Sequence, residues 1–350
     1  VTALTEQSAA DLIAAGAFSP GLPGFVGIAV DLLLDPASAP TGRRPLRHGF
    51  LDARSPRVMV VSGPPSPGLD VALRRMTDDL AASTRLVEQH RLTVVDQATD
   101  TVHPDGPEHA LGTATAGIRI GLEAGLDGGG ALGLRHRWAL AHTLAPVLAA
   151  AFANAPLRHG RPTGWRSVRQ ALRRDLPVGP PAGEARESWA GYVMDARTAS
   201  GRSLREAIRA GARLTENDLQ RHLAALRPPV AARGHLELDV ADRQPGRDWR
   251  LPATLAAVLL DDPRASEEAW QATAHLVDEP RLWERAGRDA LTDSVLAAAA
   301  RDCFVAAYAA LARQGAEREL RDAIADFTDK YVHRGRCPAD DVLDQVAARS

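Results

Sequence analysis

Apolar residues in this chain follow two spacings, and the spacing changes several times along its length. Residues 25–34 (FVGIAVDLLL) form an unbroken apolar run, and residues 57–61 form a shorter one closed by Ser62-Gly63-Pro64-Pro65. Runs of that length bounded by turn residues predict buried strands. Residues 91–95, 113–125, 189–195 and 233–242 are read as further strands. Elsewhere the spacing is helical. Leu69, Leu73, Met76, Leu80 and Val87 share one face of a helix over 69–90, and the Ala-rich stretch 134–152 predicts a helix buried all round. Short helices are expected over 8–17 and 204–211. Thr215, with Asp218 three residues on, caps a helix over 215–226 that Pro228-Pro229 stops. Helices over 251–260, 267–275, 294–314 and 316–332 complete the pattern. Residues 35–56 are polar and rich in Pro and Gly and read as a long connection, as do 174–184.

No internal repeat and no second boundary interrupts this order, so the expectation is a single α+β domain over 1–350. Apolar content of 45% and charged content of 25% are those of a globular protein able to bury a sizeable core. The net charge of −2 gives no electrostatic reason to expect nucleic acid or a membrane surface as partner. The longest apolar stretch, residues 138–152, is interrupted by His142 and Pro146 and falls short of the ~20 residues that span a bilayer. The N-terminal residues, with Glu6 and Asp11, do not read as a signal peptide. Two cysteines, Cys303 and Cys337, have no metal-ligand or CxxC spacing, and so low a count suits the cytoplasm.

Candidate chemistry concentrates in residues 152–173 (FANAPLRHGRPTGWRSVRQALR). Arg158, Arg161, Arg166, Arg169 and Arg173 surround a loop shaped by Pro156, Gly160, Pro162 and Gly164. Guanidinium forks match carboxylate and phosphate oxygens, so such a loop opening a helix makes an anion cradle. The plainer reading is a solvated basic loop. Lys330 is the only lysine in the chain, so arginine serves as the general-purpose cation here. The histidines show no HExxH spacing, there is no GxSxG elbow, and Gly128-Gly129-Gly130 reads as a turn.

This segment resembles the FAN-SP…GR-TGW-S-R stretch of actinobacterial glutamate–cysteine ligases that start ergothioneine synthesis. They belong to the second glutamate–cysteine ligase family, carboxylate–amine ligases related to glutamine synthetase. The resemblance extends over about residues 10–341. It includes Arg233-Gly234-His235-Leu236-Glu237 and the close Arg334-Gly335-Arg336-Cys337-Pro338-Ala339-Asp340-Asp341, and it is weakest over 1–112. It implies a glutamine-synthetase-like catalytic fold, an antiparallel sheet flanked by helices. It implies ATP-dependent joining of glutamate to cysteine as γ-glutamylcysteine, with ATP and Mg2+ required, in the cytoplasm. Carried over residue by residue, it assigns Arg161 and Arg169 to catalysis through anion contact. Asn154, Thr163, Gly164, Trp165, Arg334 and Arg336 would bind substrate or nucleotide, and Glu237 and Asp31 would hold metal.

The departures fall on the chemistry. Where the family carries metal-site glutamates, this chain has Ala29, Asp31 and Val60, and only Glu237 is kept. The family's Gln and Asn on one strand are Arg119 and Gly121, and its Arg two residues after the retained Glu is Asp239. These leave two alternatives open beside the ligase: a catalytically impaired paralogue that binds a small molecule or pairs with a protein partner, and a carboxylate–amine ligase with an altered substrate.

Overall fold

A computed structural model describes residues 3–35, 42–95, 97–99, 114–171, 173–174, 184–197 and 201–349. The fold is organised on β1 (Phe25–Asp35), whose residues point alternately to the two faces of the sheet. Val26, Ile28, Val30, Leu32 and Leu34 are buried in the main core. Gly27, Ala29 and Asp31 therefore point to the other face.

Antiparallel partners flank β1 on both sides. They are β2 (Arg44–Pro45), β3 (Phe50–Ser55), β4 (Val58–Ser62), β7 (Gly117–Leu122), β10 (Val230–Ala232) and β11 (Leu236–Asp242), in the order β10-β11-β7-β1-β4-β3-β2. Short β5 (Ser66–Pro67) and β6 (Thr93–Val95) pair with the two ends of β1. The register sets Ala29 opposite Ser62 on one side and Arg119 on the other, Asp31 opposite Val60, and Gly121 between Gly27 and Glu237.

Helices cover the apolar face. α1 (Glu6–Ala17) precedes the sheet, and α2 (Leu69–Gln89) packs on β1 and β4. α3 (Leu134–Ala151) is buried almost all round, continues through Pro146, and lies against β11. After α4 (Val168–Ala171), α5 (Ala185–Asp195), α6 (Leu204–Arg209) and α7 (Glu216–Ala225), α8 (Arg250–Asp261) packs on β7. Beyond it come α9 (Pro263–Thr273), α10 (Leu282–Arg288), α11 (Ser294–Arg313), α12 (Arg318–Lys330) and α13 (Pro338–Arg349). By length and composition α11 would span a membrane, yet 56% of its most apolar stretch is buried, and it packs on α3, α8, α9 and α12.

The structure corrects three expectations. Residues 189–195 form a helix instead of a strand. Glu184 caps α5 by accepting from the Arg186 N–H, and Ala185, Ser188, Trp189 and Val193 are buried at helical spacing. The run WAGYVM is apolar enough to hide that period. The polar stretch 35–56 contains β2 and β3. β3 lies near the sheet edge and buries fully only Leu51, so its sequence reads as a loop. Last, α10 and α13 were not expected, and α13 begins at Pro338, inside the RGRCPADD segment. The notional segment 96–111 falls largely outside the described residues.

Candidate active site

The sheet face turned away from α3 and α8 forms the floor of a cleft of about 520 Å3. Glycines make the space. Gly27 and Gly121 lie side by side across β1 and β7, and a Cβ on Gly121 would meet the His235 ring at 2.9 Å. Ala29 and Val60, which stand at two of the family's carboxylate positions, both line this cleft together with Glu237. Arg54, Arg119, Arg227, Arg233 and His235 supply most of the polar wall.

The deep end is a ladder of buried ions. Asp31 is 1% exposed. Its Oδ2 accepts from Arg54 Nη1 at 2.6 Å and from the Gly117 N–H at 3.1 Å, and its Oδ1 lies 3.5 Å from Arg119 Nη2. Asp239 pairs with Arg169 and, at 3.3 Å, with Arg173. A bulge in β11 between Asp239 and Ala241 frees carbonyls from the ladder, and α4 uses them: Gln170 donates to the Val240 carbonyl at 2.6 Å and Arg169 to that of Ala241 at 3.4 Å. A methyl on Gly117 would collide with the Arg169 guanidinium, so glycine is required where that group lies on the strand.

Burial of these charges decides their protonation. It opposes ionisation of Asp239, but Arg169, Arg173, Arg119 and Arg54 outweigh it and hold that carboxyl well below the usual range. Burial likewise works against the charge on Arg119, and Asp31, Asp239 and Glu237 more than offset it. For Asp242 burial wins and its pKa is raised, although Arg169 and the Asn154 N–H pull the other way. Burial lowers the His235 pKa, which favours the neutral ring.

Asp239 and Arg119 stand directly opposite each other on β11 and β7. Measured against the family pattern, one strand has exchanged Arg for Asp and its neighbour Gln for Arg. The reversal at Asp239 is thereby compensated in part: the guanidinium stands one strand over, and the pair sums to zero where the family's sums to one positive charge.

Of the residues picked out from the sequence, Asp31, Arg169 and Glu237 come together on this face. Asn154 anchors it from behind, its N–H donating to Asp242 and its side chain to the Arg243 carbonyl, both at 2.8 Å. Arg161 and Thr163 belong instead to the hairpin of β8 (Leu157–Arg158) and β9 (Arg161–Pro162), which borders a separate open hollow. Thr163 Oγ1 closes that hairpin on the Pro156 carbonyl at 3.0 Å, and Gly164 follows with φ +83°. Trp165 is half-buried against Gly287. Arg334 is exposed, and Arg336 clamps α13 through Asp344 at 2.6 Å and Asp341 at 3.4 Å. None of these last six is among the described residues that line the cleft.

Sequence reasoning missed Arg54, Arg227, Arg233 and His235 as site residues, and placed Arg173 only in the general arginine cradle. Arg233, His235, Glu237 and Asp239 share the alternation that could have flagged one face. Arg54 sat in a stretch read as connection.

The residues present do not fit a Mg2+ ion at the family positions. Mg2+ takes oxygen ligands in near-octahedral array. Ala29 and Val60 offer none, Asp31 is occupied by two arginines and a backbone N–H, and Glu237 faces Arg233 at 3.6 Å. Among the described residues no group of three or more Asp, Glu, His or Cys is placed to hold a metal ion.

A glutamate–cysteine ligase family 2 profile matches residues 68–349. The glutamate–cysteine ligase EgtA of Mycolicibacterium smegmatis is 31% identical over 403 residues, covering 98% of this chain and 92% of that protein. EgtA of Mycobacterium tuberculosis is 30% identical over 408 residues, covering 99% and 91%. The fold is also that of a bifunctional glutathione synthetase from Pasteurella multocida, with TM-score 0.54 and 13% identity. The alignment covers 97% of this chain and 51% of that one.

Proposed function

The chain belongs to glutamate–cysteine ligase family 2, and on that premise we propose that it joins the side-chain carboxyl of glutamate to the amine of cysteine at the expense of ATP. The carrying observation is that the cleft lies on the sheet face where the family residues meet, with Glu237 retained and guanidiniums around it. In this reaction a glutamate carboxylate oxygen attacks the γ-phosphorus of ATP and ADP leaves. The cysteine amine then attacks the acyl phosphate, losing a proton as phosphate departs. The residues of this chain contribute charge and position: Arg119, Arg227 and Arg233 face the cleft and neutralise oxyanions, and a phosphoryl transfer depends mainly on such neutralisation. ATP supply and free cysteine thiol both suit the cytoplasm, and the product is the first intermediate of ergothioneine synthesis.

A second reading is favoured by one observation: Ala29 and Val60 face the same cleft as Glu237, so two ligand positions are chemically empty. On that reading the chain is a paralogue that binds glutamate or nucleotide without turning them over, alone or beside an active partner. Purified protein incubated with ATP, glutamate and cysteine separates the two. γ-Glutamylcysteine with matching ADP release supports the ligase. Glutamate or ATP binding with no product supports the paralogue, and turnover with another amine identifies an altered substrate.

A further inference from the structure

We propose that guanidinium groups stand in for the divalent cation in this cleft, so that it holds the oxyanion of its substrate, phosphate chain or carboxylate, directly and without metal. The inference rests on the functional reading above for the identity of the ligand, but its argument comes from the charges of the cleft.

The lining carries four guanidiniums, Arg54, Arg119, Arg227 and Arg233, against two carboxylates, Asp52 and Glu237. Beneath them Asp31 contributes one further negative charge, and Asp239 with Arg169 and Arg173 one positive. The surplus is thus about two positive charges, the charge of one Mg2+ ion, with Asp242 beside Arg169 protonated, and about one with it ionised. Arg119 is held ionised by Asp31, Asp239 and Glu237 against the penalty of burial. On the floor it stands opposite Ala29 on β1 and Asp239 on β11.

Arg227 differs from the other three in its partners, which are carbonyls. Its Nη1 donates to the Ala224 carbonyl at 2.7 Å and the Leu226 carbonyl at 2.9 Å. Among the described residues no carboxylate forms an ion pair with it. Burial lowers its pKa, and repulsion from Arg233 and Arg119 lowers it further. An oxyanion seated among these three guanidiniums would relieve that repulsion and gain charge-assisted, bidentate hydrogen bonds. Asp31 Oδ1 is buried without a hydrogen-bond partner, 3.5 Å from Arg119 Nη2, so the floor guanidinium is held by charge and not by a hydrogen bond.

Calorimetric titration of the full chain tests this, with ATP and with L-glutamate as separate probes, each in EDTA and in millimolar Mg2+. The expected result is binding of at least one probe in EDTA, with an affinity within about threefold of that in Mg2+. Arg227→Gln, on the cleft rim, should weaken the metal-free binding tenfold or more, about 1.4 kcal/mol, with an unchanged melting temperature. Arg119→Gln should weaken it likewise at the floor, but with a lowered melting temperature, because Asp31 and Asp239 lose a cation. ATP binding in EDTA assigns the oxyanion to the phosphate chain, and glutamate binding assigns it to the carboxylate. Binding that appears only with Mg2+ overturns the substitution of arginine for metal and leaves the ligase reading standing. Absence of binding by both probes in both conditions overturns both.

Discussion

The two faces of the central sheet are built from the same strands by alternate residues, yet they are held together by different physics. One face is a continuous apolar layer: Val30, Leu34, Ile118, Ile120 and Leu238 are all 0% exposed beneath the helices. The other carries Asp31, Arg119, Glu237 and Asp239, joined to Arg54, Arg169 and Arg173. The apolar face gains stability by area, and each contact is small and replaceable. The charged face gains it by pairing, and each member lost strands its partner. A buried ion pair adds little over a hydrophobic pair, but removing one partner costs several kcal/mol. The charged face is therefore the more brittle of the two, and its retention points to ligand chemistry more than to stability.

The largest effect that could break this contrast comes from Arg169→Ala. It removes the partner of Asp239 and the nearest cation to Asp242, 3.7 Å away, both deeply buried. The expected loss is about 3–5 kcal/mol in urea unfolding at pH 7, more than the ~1 kcal/mol expected of Ile120→Val on the opposite face. Equal losses would mean that the ion ladder is no more brittle than the core.

Acid separates the two regions next. On the helix side His142 lies in α3 against Trp138, its Nε2 buried without a partner, and burial lowers its pKa to about 3. A folded pKa below the unfolded value of ~6.5 gives stability that is present above pH 6.5 and lost as pH falls toward 3. The slope is at most about 1.4 kcal/mol per pH unit. The folded pKa of Asp239 is also lowered, so its contribution is lost as well in acid, but only below its unfolded value of ~3.9. Asp242, with a raised pKa, acts in the opposite sense, and its protonation favours the folded state as pH falls toward 4. Between pH 6.5 and 4.5 the helix side should thus weaken, with a further loss from His235 in the cleft, whose pKa is also lowered, while the carboxylates of the ladder hold. His142→Leu should flatten that part of the stability profile, and an unchanged slope would assign the loss elsewhere.

The same contrast explains what could be read before the fold was known. Apolar alternation is local, so β1, β4, α2 and α3 are legible from their own residues. Charge pairing is not local. Asp31 meets Arg54 and Arg119, and Asp239 meets Arg169, partners 23, 88 and 70 positions away. From sequence, Asp239 reads as a lost anion contact, and only the register shows Arg119 opposite it. β3 was hidden because an edge strand that faces a cleft has few apolar residues to display. The arginine-rich segment singled out from the sequence is divided in the structure. Arg169 and Arg173 reach the sheet, while Arg161 stays on the exposed hairpin.

The smallest effect is also the sharpest. Val60 sits opposite Asp31 on β1 and opposite Asp52 on β3, so its side chain stands between two carboxylates along one line across the sheet. Val60→Glu would place three carboxylates in that row. Like charges directly opposite each other on neighbouring strands destabilise by roughly 0.2–1 kcal/mol, and Arg54, which already holds Asp31 at 2.6 Å, can neutralise only part of the addition. The variant should therefore melt a few degrees below the parent in EDTA. Mg2+ should restore most of that loss, because a cation among three carboxylates binds the folded state alone, whereas the parent should show no Mg2+-dependent shift. A parent that gains stability from Mg2+ would mean that its carboxylates already suffice for a metal. A variant indifferent to Mg2+ would mean that the arginines, not the missing glutamate, keep the ion out, and Arg119→Gln would then be needed beside Val60→Glu before the cleft accepts a cation.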